Sequence, residues 1–147
     1  MPTTNTPRTW SDALQANPEI RVIQELLDCF RNGDVSGILE RLDDAVEWQI
    51  AGNPDRLPFA GFFTGKAGVL EFFKAFGQNV EVSELSAANF SCAGAQVFVE
   101  TRFEGRAAPT GKVFVSESRL VWTFNDQGKI QKLEQTGDVS AIEAAFF

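Results

Sequence analysis

No stretch limits the fold more than the one from Val113 to Gln135. Val113-Phe114-Val115-Ser116-Glu117-Ser118-Arg119-Leu120-Val121-Trp122-Thr123-Phe124 is rich in β-branched and aromatic residues and holds neither Gly nor Pro. Asn125-Asp126-Gln127-Gly128 is turn chemistry, and Lys129 to Gln135 alternates again. Because strand side chains point to opposite faces with period two, the hairpin has two readable sides. Phe114, Ser116, Ser118, Leu120, Trp122 and Phe124 share one side with Leu133 and Gln135; it is apolar with a few small polar groups. Val115, Glu117, Arg119, Val121 and Thr123 share the other with Lys132 and Glu134, and that side holds the charges. The hairpin therefore predicts a sheet with one apolar concave side and one charged side.

A chain of 147 residues with 44% hydrophobic and 22% charged content is read as a single domain, 1–147, able to bury a real core. The net charge of −7 argues against a nucleic-acid surface, which needs clustered Lys and Arg. No apolar run reaches membrane-spanning length, and Met1 to Arg8 lacks a signal peptide's apolar centre, so the expectation is a cytoplasmic protein with no membrane partner. Cys29 and Cys92 have no C-x-x-C companion and are read as reduced thiols. The chain has no His, which removes the usual general base near neutral pH and the commonest metal ligand. No metal and no cofactor are expected. Fourteen Phe and three Trp without any Tyr point to aromatic packing with few phenolic hydrogen bonds.

Residues 1–16 read as a lead, partly disordered or carrying a short helix at 9–14 capped by Ser11, with Trp10 and Leu14 docking on the body. The first firm helix starts at Asn17 and Pro18 and stops at Gly33, with Ile20, Ile23, Leu27 and Phe30 as its apolar stripe, thickened by Leu26. Asp34 caps a shorter helix closed by Asp43-Asp44, and Ala45 to Ile50 reads as a strand. A long loop, Ala51 to Gly65, mixes Gly and Pro with Leu57, Phe59, Phe62 and Phe63, either as a lid or as a core plug. Val69, Phe72, Phe73 and Phe76 recur at helical spacing. Strands follow at about 79–91, 95–104, 112–124 and 129–136, then a short helix capped by Asp138 that places Ile142 and Phe146 on one side. The order predicts an α+β fold: a cone-like, strongly bent, antiparallel or mixed sheet with three helices packed on its concave face.

Four segments carry a resemblance: Cys29-Phe30-Arg31-Asn32-Gly33-Asp34, Leu42-Asp43-Asp44-Ala45-Val46-Glu47-Trp48, Leu57-Pro58-Phe59-Ala60-Gly61 and Thr64-Gly65-Lys66-Ala67-Gly68-Val69. Over about residues 17–146 the chain resembles the SnoaL-like branch of the nuclear-transport-factor-2-like superfamily. That superfamily also includes ketosteroid isomerase, limonene-epoxide hydrolase and scytalone dehydratase, so the resemblance implies a fold more sharply than a reaction. Ketosteroid isomerases use a carboxylate base, a Tyr donor and a protonated Asp. The resemblance carries these positions to Gln49, Leu26 and Leu120, none of which can do the job. The Asp-Arg-Asp set of limonene-epoxide hydrolase falls on Phe103, Thr101 and Gln135. Sliding by one residue brings in Arg102, Glu104 and Glu134, but period two would then also turn Val97, Val99 and Phe103 outward. On the unshifted register these charges, with Glu100, Glu117, Arg119 and Lys132, form an ion ladder on the outer face. Scytalone dehydratase chemistry needs His.

What remains for a pocket is apolar. Ile23, Leu27 and Phe30 come from the first helix, Trp48 and Ile50 from the first strand, and Phe59 and Phe63 from the loop. Phe72, Phe73 and Phe76 come from the third helix, and Val99, Thr101, Phe103, Leu120, Trp122 and Leu133 from the sheet. Gln49, Gln135 and the two indole N–H groups are the neutral polar handles, and Asp28 and Asp55 are the acids nearest the mouth. Two functions fit. One is a small enzyme acting on an apolar, ring-containing metabolite, with Asp28 or Asp55 as acid or base. The other is a non-catalytic ligand-binding or interaction module. The outer sheet face mixes Val113, Val115 and Val121 with charges of both signs, which suits a homodimer through that convex face.

Overall fold

The computed structural model describes residues 17–147. The short helix expected at 9–14 lies outside the described residues. Helix α1 (Pro18–Arg31) begins where the Oδ1 of Asn17 accepts from the backbone N–H of Ile20 at 3.0 Å, with Pro18 in its first turn. Asp34 caps α2 (Val35–Glu40) in the same manner, accepting from the N–H of Gly37 at 2.9 Å. Strand β1 (Leu42–Ile50) then starts earlier than the sequence pattern suggests, taking in Asp43 and Asp44. The reason is tertiary. Leu42 pairs with Ile130, and the side chain of Asn125 donates to Asp43 Oδ1 at 3.0 Å, so the turn of the hairpin holds the start of β1 extended.

The loop after β1 ends in a short strand, β2 (Gly61–Thr64), that runs antiparallel to β1 with Trp48 opposite Phe63. Helix α3 (Gly65–Asn79) follows, burying Val69 and Phe72. Four strands complete the sheet: β3 (Val80–Ala93), β4 (Gln96–Ala107), β5 (Val113–Phe124) and β6 (Ile130–Thr136). A short helix, α4 (Ser140–Ala145), comes last. The spatial order is β2-β1-β6-β5-β4-β3, every pairing antiparallel except β1 with β6. The sheet is mixed, curled and unclosed, with the helices on its concave side.

Alternation along β5 survives intact. Phe114, Ser116, Leu120, Trp122 and Phe124 are buried, whereas Val113, Val115, Glu117 and Arg119 are exposed. The β5–β6 turn is built by Asn125, whose Oδ1 accepts from the N–H groups of Gln127 and Lys129 at 2.9 Å each, while Gly128 takes φ +78°. One core cluster runs from Ile20 on α1 through Trp48 and Trp122 to Ile142 on α4.

Candidate functional site

Inside the curl lies a cavity of about 130 Å³. Helix α1 contributes Leu26, Leu27 and Phe30 to its wall, and α3 contributes Phe72, Phe73 and Phe76. Trp48 and Ile50 enter from β1, Leu57 and Phe59 from the loop. The sheet supplies Thr101, Phe103, Leu120, Trp122, Leu133 and Gln135, together with Ser116 and Ser118. Val139 and Ile142 close it from the C-terminal side.

Eight rings in the wall form one connected set among aliphatic and small polar neighbours. Trp48 lies 5.8 Å from Trp122 and 5.9 Å from both Phe72 and Phe73, centroid to centroid. Phe76 joins Phe30 at 5.9 Å, Phe59 at 5.2 Å and Phe103 at 6.1 Å. Most of these pairs are tilted or edge-on, the arrangement that ring quadrupoles favour, each worth roughly 0.5–1.5 kcal/mol beyond burial. The indole Nε1 atoms of Trp48 and Trp122 are both buried and have no hydrogen-bond partner among the described residues. Such donors are uncommon in folded proteins.

The polar atoms of the wall are neutral. Thr101 Oγ1 stands 3.1 Å from Ser118 Oγ, and Gln135 Nε2 donates to the same Ser118 Oγ at 3.2 Å. This ladder crosses β4, β5 and β6 on the inner face. No ionisable side chain is among the described residues that line the cavity. Bringing a lone charge into such a wall costs several kcal/mol, of order 2–7 even for a polar group left unbonded, so the space suits an uncharged molecule.

Most residues expected at the pocket surround this cavity; several do not. Gln49 lies on the opposite side of the sheet, beside Phe62 and Glu134, because its neighbour Trp48 is buried and period two sends alternate side chains apart. Phe63 sits on the edge strand β2 and packs edge-on against Phe72 at 5.6 Å without reaching the cavity. Ile23 and Val99 are core residues outside the lining. Asp28 points to solvent, 2.8 Å from Arg31, its side chain 68% exposed. Asp55 is exposed in a turn where its N–H donates to Asn53 Oδ1. Neither acid meets the cavity.

The one-residue slide is settled by register. Thr101, Phe103 and Gln135 line the cavity, and Arg102, Glu104 and Glu134 do not. On the outer face Arg102 stands 3.3 Å from Glu104 and 3.7 Å from Glu84, Arg119 is 3.6 Å from Glu100, and Lys132 is 3.9 Å from Glu134. Exposed pairs of this sort contribute about 0–1 kcal/mol each.

Loop 51–60 and α4 meet over one end of the cavity. The N–H of Asn53 donates to Glu143 Oε2 at 3.4 Å, Phe59 and Phe146 stack edge-on at 5.8 Å, and the Arg56 guanidinium lies 4.9 Å over the Phe147 ring. Asp138, just before α4, has its carboxyl held below the usual range by the hydroxyl and then the N–H of Ser140. Val139 and Ile142 were not foreseen in the wall. A capped helix with Ile142 on its apolar side was the available signal, but local pattern does not say where such a helix docks.

A sequence model of the SnoaL-like domain matches residues 23–133. A comparison with the curated proteins finds no match. Among solved structures, TerC co-crystallized with polyporic acid superposes with a TM-score of 0.79 at 25% identity, over 88% of this chain and 98% of that one. An NTF2-like protein of unknown function from Burkholderia pseudomallei also reaches 0.79, at 18% identity over 88% and 98%. A candidate polyketide cyclase from Xanthomonas campestris gives 0.71 at 16% identity over 88% and 97%. At their identities the last two bear on the fold alone.

Proposed function

This chain belongs to the SnoaL-like family, and we propose that it holds a small, uncharged, ring-containing molecule in the aromatic cavity. The observation that carries this reading is the wall itself: a connected set of rings among aliphatic side chains, neutral polar groups from the sheet, and no described acid or base between them. The co-crystallization of TerC with polyporic acid supports a small-molecule occupant. Volume bounds its size. An apolar cavity of about 150 Å³ holds benzene, and drug-sized ligands need roughly 300 Å³ or more. As it stands the cavity suits a single ring, and a larger occupant requires loop 51–60 and α4 to yield.

Between the two readings drawn from the sequence, binding without proton transfer is the one the geometry favours. A general acid or base must come within hydrogen-bond reach of its substrate, and Asp28 and Asp55 both face solvent. Mass spectrometry of small molecules that copurify with the protein tests the reading. A neutral aromatic compound at near-stoichiometric amount supports it; a bound anion, or turnover of a ring-containing substrate that survives loss of the cavity, overturns it.

We further propose a homodimer through the outer sheet face. What supports it is Val113 at 75% and Val115 at 40% exposure among acids and bases that can pair across a two-fold axis. A cytoplasmic location fits two free cysteines. No described helix is long and apolar enough to cross a membrane.

A further inference from the structure

The ladder on the inner face is anchored by a carboxamide at one end and a backbone carbonyl at the other. Thr101 Oγ1 is placed to donate to the Ser118 carbonyl oxygen at 3.5 Å. It also stands 3.1 Å from the Ser118 hydroxyl, and either oxygen can donate across that contact. Ser118 Oγ in turn accepts from Gln135 Nε2 at 3.2 Å. The contacts thus link carboxamide, hydroxyl, hydroxyl and backbone across three strands. They use one of the two Gln135 N–H protons and leave the amide oxygen and the second N–H without a partner among the described residues. Ser116, two residues along β5 from Ser118, is 7% exposed, and its hydroxyl also makes no hydrogen bond among the described residues. Both Gln135 and Ser116 line the cavity.

Unlike the two indole nitrogens, these atoms are not sealed off, so they stand open to whatever occupies the cavity. We propose that Gln135, oriented by Ser118 and Thr101, is the residue that sets ligand choice, and that it takes a neutral group carrying a donor and an acceptor side by side. A carboxamide or an undissociated carboxylic acid on the ring has that pattern, and Ser116 offers a further hydroxyl on the same strand. An anionic group does not fit, because no described cation lies in the wall to offset it. The inference rests on the cavity being a ligand site.

Two shape-matched molecules separate the two claims. Benzamide carries the donor–acceptor pair; isopropylbenzene has the same outline and carries neither. Binding of each is followed by NMR through the indole N–H signals of Trp48 and Trp122, in wild type, Gln135→Met and Ser118→Ala. The expected result is that Gln135→Met weakens benzamide about tenfold, the share of roughly one to two hydrogen bonds, and leaves isopropylbenzene within twofold. Ser118→Ala should lower benzamide affinity less, since it frees the carboxamide without removing it. If both molecules bind and Gln135→Met leaves their ratio unchanged, or weakens both alike, the role of Gln135 falls and the cavity reading stands. If neither molecule binds wild type, the cavity reading falls and takes this inference with it.

Discussion

Trp48 on β1 and Trp122 on β5 meet edge to face with centroids 5.8 Å apart and planes inclined by 76°, joining two strands that are not neighbours in the sheet. Leu133 of β6 stands between their backbones, opposite both. The pair therefore spans the sheet over its central strand, where the curl brings inner-face side chains together. Trp48→Ala and Trp122→Ala should each destabilise by roughly 3–5 kcal/mol, the cost of a buried aromatic replaced by a void. Chemical denaturation is the check. A midpoint within error of wild type for either variant means that its ring is not part of the core.

How far this arrangement was legible depends on how local its cause is. From Val113 to Phe124 each burial follows from alternation, with no Gly or Pro to break it, so the inner positions of Ser116, Leu120 and Trp122 could be read directly. The same rule, applied strictly, excludes Gln49 once Trp48 is inside. Strand β2 was not legible. Its four residues are too few to show a period, and its existence depends on pairing with β1. Leu85 was hidden for another reason: β3 carries irregularities at 82–84 and 88–91, which break alternation on either side of it. The ladder of Thr101, Ser118 and Gln135 needed the register of three strands, which no single segment specifies.

Loop 51–60 carries the second prediction. Arg56 is exposed and touches Phe147 only through its guanidinium, a contact worth about 0.5–1 kcal/mol at the surface. Replacing Asp55 and Arg56 together by Ala should leave the thermal midpoint nearly unchanged and weaken benzamide binding a few-fold, because Leu57 and Phe59 of the same loop form part of the cavity wall. Calorimetry on the double variant reads both quantities. Unchanged affinity means the loop is a fixed plug and not a lid.

The thiol of Cys92 gives a pH test. Although Cys92 is exposed, partial desolvation first, and the carboxylate of Glu19 second, push its thiol above the ordinary value of 9.0. A group raised in the folded state favours folding while protonated. Its contribution is full below the unfolded value and is lost as pH rises through the folded one. In a Cys29→Ser background, the rate of alkylation by iodoacetamide should rise with a midpoint above 9.0. Glu19→Gln should lower that midpoint without returning it to the ordinary value, since desolvation is the larger cause. A midpoint at or below the ordinary value in the parent background contradicts the assignment.

Val121 tests the proposed dimer. It lies half-buried on the outer face, opposite Phe98 on β4 and Glu134 on β6, near the centre of the surface that two copies would share. An added carboxylate at a closed seam has no partner and costs roughly 3–5 kcal/mol, enough to loosen a dimer more than a hundredfold. Sedimentation at micromolar concentration should therefore show a dimer for wild type and a monomer for Val121→Glu. Far-ultraviolet circular dichroism should be the same for both, because in one copy the outward position of residue 121 leaves the inner core untouched. A monomer for wild type ends the proposal. A dimer that survives Val121→Glu uses another surface, and the exposed Val113 and Val115 are then solvent-facing residues of an edge the dimer leaves open.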